Sequence, residues 1–236
     1  MSHTQTNRRR SQVQAVFWDI DGTLIDSEPL HFQVIADWCK TNGLSLNAEN
    51  NLSLLGKSML EKWEYLKTLH DFSSDFHSFS SGCAQMYCDR VHSTMQRPDT
   101  MDVFLRLAAM RIPQACVSNG DRSVVEANLN CLGIMDKLAF FLTGEDLSHT
   151  KPHPEPYRLA VERLFLEPEN CLAIEDSQVG VSSASAAKLV TLAWPMAETD
   201  CQELYPTDYC ITNSVDFPWK LFAREENKNS GHAVEY

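Results

Sequence analysis

At 236 residues, with 43% hydrophobic and 22% charged side chains, the chain has the composition of a globular protein, large enough for one substantial core or a core carrying an insertion. A formal net charge of -12 argues against a nucleic-acid partner, whose phosphates need basic surface, but not against a small phosphorylated substrate met by a metal and a few placed cations. The eight cysteines show no C-x-x-C pairing or zinc-like spacing, and neither a signal peptide nor a membrane-length apolar stretch is legible. The expectation is a cytoplasmic chain with reduced thiols, a monomer with no membrane or nucleic-acid partner.

Arg8 to Arg10 read as part of a solvated N-terminal tail. The first element is a buried strand, since Val16, Phe17 and Trp18 form a short apolar run ended by polar residues and Gly22. Asp19 stands where that strand ends, and Asp21 follows two residues later. Ligands of open α/β sheets bind at this edge. Two carboxylates there repel each other unless a proton or a cation relieves them, and a magnesium ion would also screen an incoming phosphate. A polar turn bent at Gly22 explains D-x-D-G equally well when it stands alone. A calcium loop fits poorly, because its glycine belongs at the sixth position and no strand should precede it.

Further along, Pro29 to Thr41 reads as a helix with Ile35, Trp38 and Cys39 on one side. A second helix opens at Ser58, where S-M-L-E forms a capping box with Glu61 ahead of a Met59, Trp63, Leu66, Leu69 stripe. A third runs from about Ser74 to Met95. Strand signals return at Gln114 to Ser118, Leu138 to Thr143, Cys171 to Ile174, Leu189 to Trp194 and Tyr209 to Thr212. Helical patterns fall between most of them: Arg122 to Leu132 with a Ser123–Glu126 box, Pro156 to Phe165, and Val179 to Ala187. This alternation predicts an α/β fold, a doubly wound parallel-sheet (Rossmann-like) core, interrupted by an inserted α-helical cap. The expected boundaries are residues 1–27 and 96–224 for the core, 28–95 for the cap, and 225–236 for a flexible tail.

Three more motifs fall at predicted strand ends. V-S-N-G offers the Ser118 hydroxyl, the Asn119 amide and turn N–H groups to a phosphate, though it is also common turn chemistry. K-P-H-P-E-P places Lys151 before a helix as an anion clamp, or as a surface lysine. A-I-E-D-S-Q-V-G sets Glu175 and Asp176 directly after an apolar strand, where they can cap the next helix or supply the oxygen ligands that a magnesium site at Asp19 still needs.

In this order, D-I-D-G-T, S-N-G, K-P and E-D-S-x-x-G, the chain resembles the haloacid dehalogenase-like superfamily, in its phosphatase and β-phosphoglucomutase-like branch with a helical cap. The resemblance runs from residue 13 to about 220. It implies Asp19 as the nucleophile forming an aspartyl-phosphate, and Asp21 as the general acid and then the base for water. It also implies magnesium held by the Asp19 carboxylate, the Asp21 carbonyl and Asp176, with Glu175 nearby. Ser118 and Lys151 would hold the phosphoryl group, Lys151 offsetting the crowded acids; Asn119 joins them with less support, because S-N-G departs from the commoner T-N form. His31, in the hinge-like D-S-E-P-L-H, and Lys57 are candidate substrate contacts, or else a helix-surface residue and a solvated charge. A second departure is S-S-A-S-A-A-K at Ser182 to Lys188, which lacks the family's helix-end glycine and bears on local geometry.

Asp21 argues against dehalogenation, which needs no proton for its leaving group. The mutases grip a second phosphate through G-x-S-R in the cap, whereas this chain reads Gly56, Lys57, Ser58, Met59; their K-N-x-x-Y stretch is C-A-Q-M-Y here, Cys83 to Tyr87. The expected function is therefore magnesium-dependent hydrolysis of small phosphorylated metabolites, sugar phosphates above all. The alternatives are a hexose-phosphate mutase and a catalytically silent relative that binds a metabolite or a protein.

Overall fold

The apolar run that reads as the first strand is β1, Ala15–Trp18, and all four side chains are buried. Successive strand side chains point to opposite faces. Val16 and Trp18 accordingly join one core with Phe104 and Leu107, while Ala15 and Phe17 join another with Tyr157 and Ala160. A strand covered on both faces belongs inside a parallel sheet. The computed structural model describes residues 12–54, 57–69, 72–196 and 201–223. Arg8 to Arg10, Gly56 and the expected tail at 225–236 lie outside the described residues.

After β1 come four helices, α1 (Glu28–Thr41), α2 (Ala48–Leu54), α3 (Met59–Lys67) and α4 (Phe76–Cys88). They enclose their own core of Val34, Trp38, Leu66, Phe79 and Cys83. The capping box of α3 is present: Ser58 Oγ accepts the Glu61 N–H at 3.3 Å, and the Glu61 carboxylate accepts the Ser58 N–H at 2.8 Å. Helix α2 is absent from the sequence reading because it is short and polar, with Leu54 its one buried residue among those described. The helix expected to reach Met95 stops at Cys88 instead. Residues 95–97 are needed for the return to the core, where Asp26 N–H donates to the Met95 carbonyl at 2.8 Å and Arg97 N–H to the Leu24 carbonyl at 2.9 Å.

The chain resumes with α5 (Pro98–Ala109), β2 (Gln114–Val117), α6 (Arg122–Leu132), β3 (Phe140–Leu142), α7 (Glu155–Leu164), β4 (Cys171–Glu175), α8 (Gln178–Ala186), β5 (Val190–Ala193) and β6 (Tyr209–Cys210). The six strands form one parallel sheet in the order β3-β2-β1-β4-β5-β6. The order reverses between β1 and β4, the crevice where open α/β sheets bind ligands. Trp18 is in register with Ile174. Asp19 and the Glu175–Asp176 pair therefore leave adjacent strands side by side.

Two expectations and one alternative reading need correction. The Ser123–Glu126 box does not form; α6 begins after Asp121, and its Arg122 N–H is taken by the Glu145 carboxylate at 2.9 and 3.0 Å. Glu175 and Asp176 do not cap α8 through their side chains; Ser177 Oγ does, accepting the Gly180 N–H at 3.2 Å. Not all thiols are reduced: Cys201 and Cys210, nine residues apart, are bonded, a pairing that motif spacing does not reveal. The other six cysteines are free.

Candidate active site

Lys151 organises the site. Its ammonium has three protons, and three acceptors meet it: Asp19 Oδ1 at 2.6 Å, the Val117 carbonyl at 2.7 Å and Glu175 Oε1 at 2.7 Å. These come from the ends of β1, β2 and β4, so one buried side chain ties three strands together. Burial pushes its pKa down, but the Asp19 and Glu175 charges outweigh this and hold the ammonium protonated. Its backbone is fixed as well. Asn119 Oδ1 accepts the Lys151 N–H at 2.9 Å, and Asn119 Nδ2 donates to the Lys151 carbonyl at 3.1 Å. The Asn119 side chain thus fixes the Lys151 backbone, and Asn119 also lines the cavity between the helices and the sheet.

Around this ammonium the acids are crowded. One carboxylate oxygen each from Asp19, Glu175 and Asp176 lie within 4.8 Å of one another. Burial pushes Glu175 up to about 8 against the pull of Lys151, and Asp176 up to about 7, with the Asp19 charge adding to it. Asp19 is raised too, by burial first and by Asp21 as well, against Lys151. Glu175 Oε1 also accepts a short hydrogen bond from the Tyr157 hydroxyl, while its Oε2 has no hydrogen-bond partner among the described residues. Two glycines make room for these groups. A Cβ at Gly22 would stand 2.0 Å from Asp176 Oδ2, and one at Gly180 would stand 1.8 Å from Glu175 Oε2.

Asp21 faces the helical cap. Its Oδ1 accepts from Ser27 Oγ at 2.6 Å and Asn128 Nδ2 at 3.2 Å, and His31 Nε2 lies 3.6 Å away. Burial alone would raise this carboxyl, yet the His31 and Ser27 contacts bring it below its ordinary value. Asn128 Oδ1 in turn accepts from the Tyr87 hydroxyl at 2.8 Å, and the Tyr87 ring stacks on His31 with centroids 4.3 Å apart. Ser118 is buried at the end of β2, where its Oγ accepts the Gly120 N–H at 2.9 Å.

A cavity of about 490 Å³ separates cap from core and is lined by Asp21, His31, Lys57, Met59, Lys62 and Lys151, among others. Lys62, on α3, also lines the smaller space beside Gly22 and Asp176. Its ammonium stands 5.9 Å from the Phe32 ring centroid, makes no ion pair among the described residues, and is pushed down in pKa by burial. A cleft of about 510 Å³ behind the hinge, with Asp26, Arg97 and Met196, contains none of Asp19, Asp21, Lys151 or Asp176. The chemistry therefore belongs to the cavity between cap and core.

Sequence reasoning named Asp19, Asp21, Ser118, Lys151, Glu175 and Asp176, and they converge. His31 and Lys57 reach the cavity wall, Lys57 at its exposed rim. It missed Ser27, Lys62, Tyr87, Asn128 and Tyr157. Buried polar residues inside helices carry no motif, although an asparagine among the apolar positions of α6 was a faint signal.

A family model, haloacid dehalogenase-like hydrolase, matches residues 13–188, and the chain belongs to that family of enzymes. It is 26% identical over 212 residues to validoxylamine A 7'-phosphate phosphatase of Streptomyces hygroscopicus subsp. limoneus, covering 87% of this chain and 96% of that one. It is 23% identical over 172 residues to the fructose-1-phosphate phosphatase YqaB of Escherichia coli, with 73% and 91% covered. The crystal structure of β-phosphoglucomutase from Clostridium difficile shares the fold, with a TM-score of 0.71 and 21% identity over 88% of this chain and 94% of that one. No helix among the described residues is long and apolar enough to cross a membrane.

Proposed function

We propose that this enzyme is a magnesium-dependent phosphatase of small phosphorylated metabolites, sugar phosphates foremost, acting through an aspartyl-phosphate on Asp19. The observation that carries the reading is the Lys151 ammonium, 2.6 Å from Asp19 at the reversal of the sheet. The acids fit magnesium, because they offer only oxygen, and the buried Glu175 Oε2 has no hydrogen-bond partner among the described residues. Asp19, Asp176 and the Asp21 carbonyl would hold the ion, with Glu175 beside it. Bound there, it would neutralise the acids and screen the phosphoryl oxygens.

A carboxylate oxygen of Asp19 attacks phosphorus, and the bond from phosphorus to the substrate oxygen breaks. Asp21 gives that oxygen its proton, then takes one from the water that attacks the aspartyl-phosphate. The His31 and Ser27 contacts that lower Asp21 suit the base. The phosphoryl charge arriving with substrate raises Asp21 and suits the acid. Lys151 and Ser118 hold the transferring oxygens in place, so most of the rate comes from positioning and charge.

Phosphate release across a panel of sugar phosphates, with pyrophosphate and p-nitrophenyl phosphate as other leaving groups, tests the reading. Sugar phosphates should be cleaved best, and only with magnesium. Preference for pyrophosphate would overturn the substrate class, and full turnover in chelator would overturn the metal.

Lys62 favours one second reading, a hexose-phosphate mutase, since a cation in the cleft is what a distal phosphate requires. Hydrolysis is preferred because Met59 stands where the resemblance would place the bidentate arginine of the mutases. With β-glucose 1-phosphate and added glucose 1,6-bisphosphate, phosphate release should outpace glucose 6-phosphate formation, and the opposite result would favour the mutase.

A further inference from the structure

The turn from His149 to Glu155 carries a second set of ligating side chains, and none of them takes part in the chemistry above. Glu155 Oε2 lies 2.7 Å from His149 Nδ1 and 3.9 Å from His153 Nδ1, and the two imidazole rings are 4.5 Å apart. One ring nitrogen from each histidine and one Glu155 oxygen fall within 4.8 Å of one another. The surroundings hold them there. Glu155 Oε1 accepts the Ser148 N–H at 2.6 Å, and the His153 carbonyl accepts from Ser183 Oγ at 2.6 Å. Pro152 and Pro154 restrict the backbone on either side of His153, and Asn119 clasps Lys151 between the two histidines.

We infer that His149, His153 and Glu155 form a binding site for a borderline transition-metal ion of the zinc class, distinct from the all-oxygen acids beside Asp19. Two imidazoles with one carboxylate suit zinc, cobalt, nickel or copper, whereas magnesium and calcium select oxygen. Three protein ligands leave a further position for water. Because the histidines flank Lys151, a bound ion ties together both ends of the turn from which that lysine reaches Asp19.

The test adds cobalt(II) to the full-length protein in a large excess of magnesium, which keeps the oxygen site filled, and follows the visible d–d absorption. One equivalent should develop the bands, and zinc should remove them by displacement. His149→Ala and His153→Ala should each weaken cobalt binding at least about tenfold. The double substitution should abolish the bands with an unchanged far-ultraviolet circular dichroism spectrum, and zinc should slow deuterium uptake of the 148–155 amides only where both histidines are present. If the double variant does not fold, His149→Ala alone carries the comparison, since its ring is mostly exposed. Absence of bands in the parent protein, or bands undiminished in the folded variants, would overturn the inference. These readouts need no turnover, so they stand apart from the proposed hydrolysis.

Discussion

At Asp19 one carboxylate has two opposed duties, to attack phosphorus and to share a crowded acidic site. Asp19→Asn keeps an oxygen that can accept from Lys151 but removes both the nucleophile and one negative charge. Turnover should fall by at least about a thousandfold, while the melting temperature in chelator stays equal or rises. A large drop in that melting temperature would show that Asp19 is held for structure. Lys62 presents the reverse case. Burial pushes its pKa down, so between the folded value and the ordinary lysine value near 10.4 the unfolded chain holds the extra proton. Stability from this group therefore rises with pH across that window, and below it the buried charge is a standing cost. Lys62→Met should make the free protein more stable at pH 7 and raise KM for sugar phosphates, read by thermal melts and steady-state kinetics. Lower stability with KM unchanged would remove Lys62 from the substrate site.

Among the elements, the end of α8 shows what a missing glycine costs. Where relatives of the resembled family turn on glycine, Lys188 sits at φ 68°, a left-handed conformation that side chains disfavour. Lys188→Gly should stabilise the protein by about 1 kcal/mol, a rise of roughly 2–4 °C in melting temperature. No rise would mean that contacts of the lysine side chain compensate the strain. The elements differ in how far their sequences announced them. The α3 cap was legible because both partners of the box lie three residues apart and need nothing distant. The box at Ser123 failed because α6 starts ahead of Ser123, after Asp121, with its Arg122 N–H held by the distant Glu145 carboxylate. Helix α5 carries Met101, Phe104 and Leu107 at helical spacing behind Pro98 and could have been found. The acids at the ends of β1 and β4 were readable for a similar reason: a strand end can be located from its own residues. Asn128 and Lys62 were not, since their significance exists only once α6 and α3 face the same space.

Taken whole, the molecule concentrates acidic groups at one seam, and its stability should register that. Glu175, pushed up to about 8, and Asp176, to about 7, have folded values above their unfolded ones near 4. The stability they contribute is complete below the unfolded values and is lost as pH rises through the folded ones. In chelator the protein should accordingly melt at a lower temperature at about pH 8 than at about pH 6, with magnesium restoring most of the difference at the higher pH. Identical melting temperatures at both values, or no effect of magnesium, would contradict the coupling of these acids to a cation.

The two hydrogen bonds between residues 24–26 and 95–97 have a topological consequence. Seen from the sheet, α1 to α4 amount to one very long hairpin loop whose stem is already zipped. Closing a loop costs entropy that grows only slowly with length. Such a loop can be lengthened, shortened or exchanged without altering any strand pairing, which leaves this part of the chain free to diverge while the Lys151 seam beneath it stays as it is.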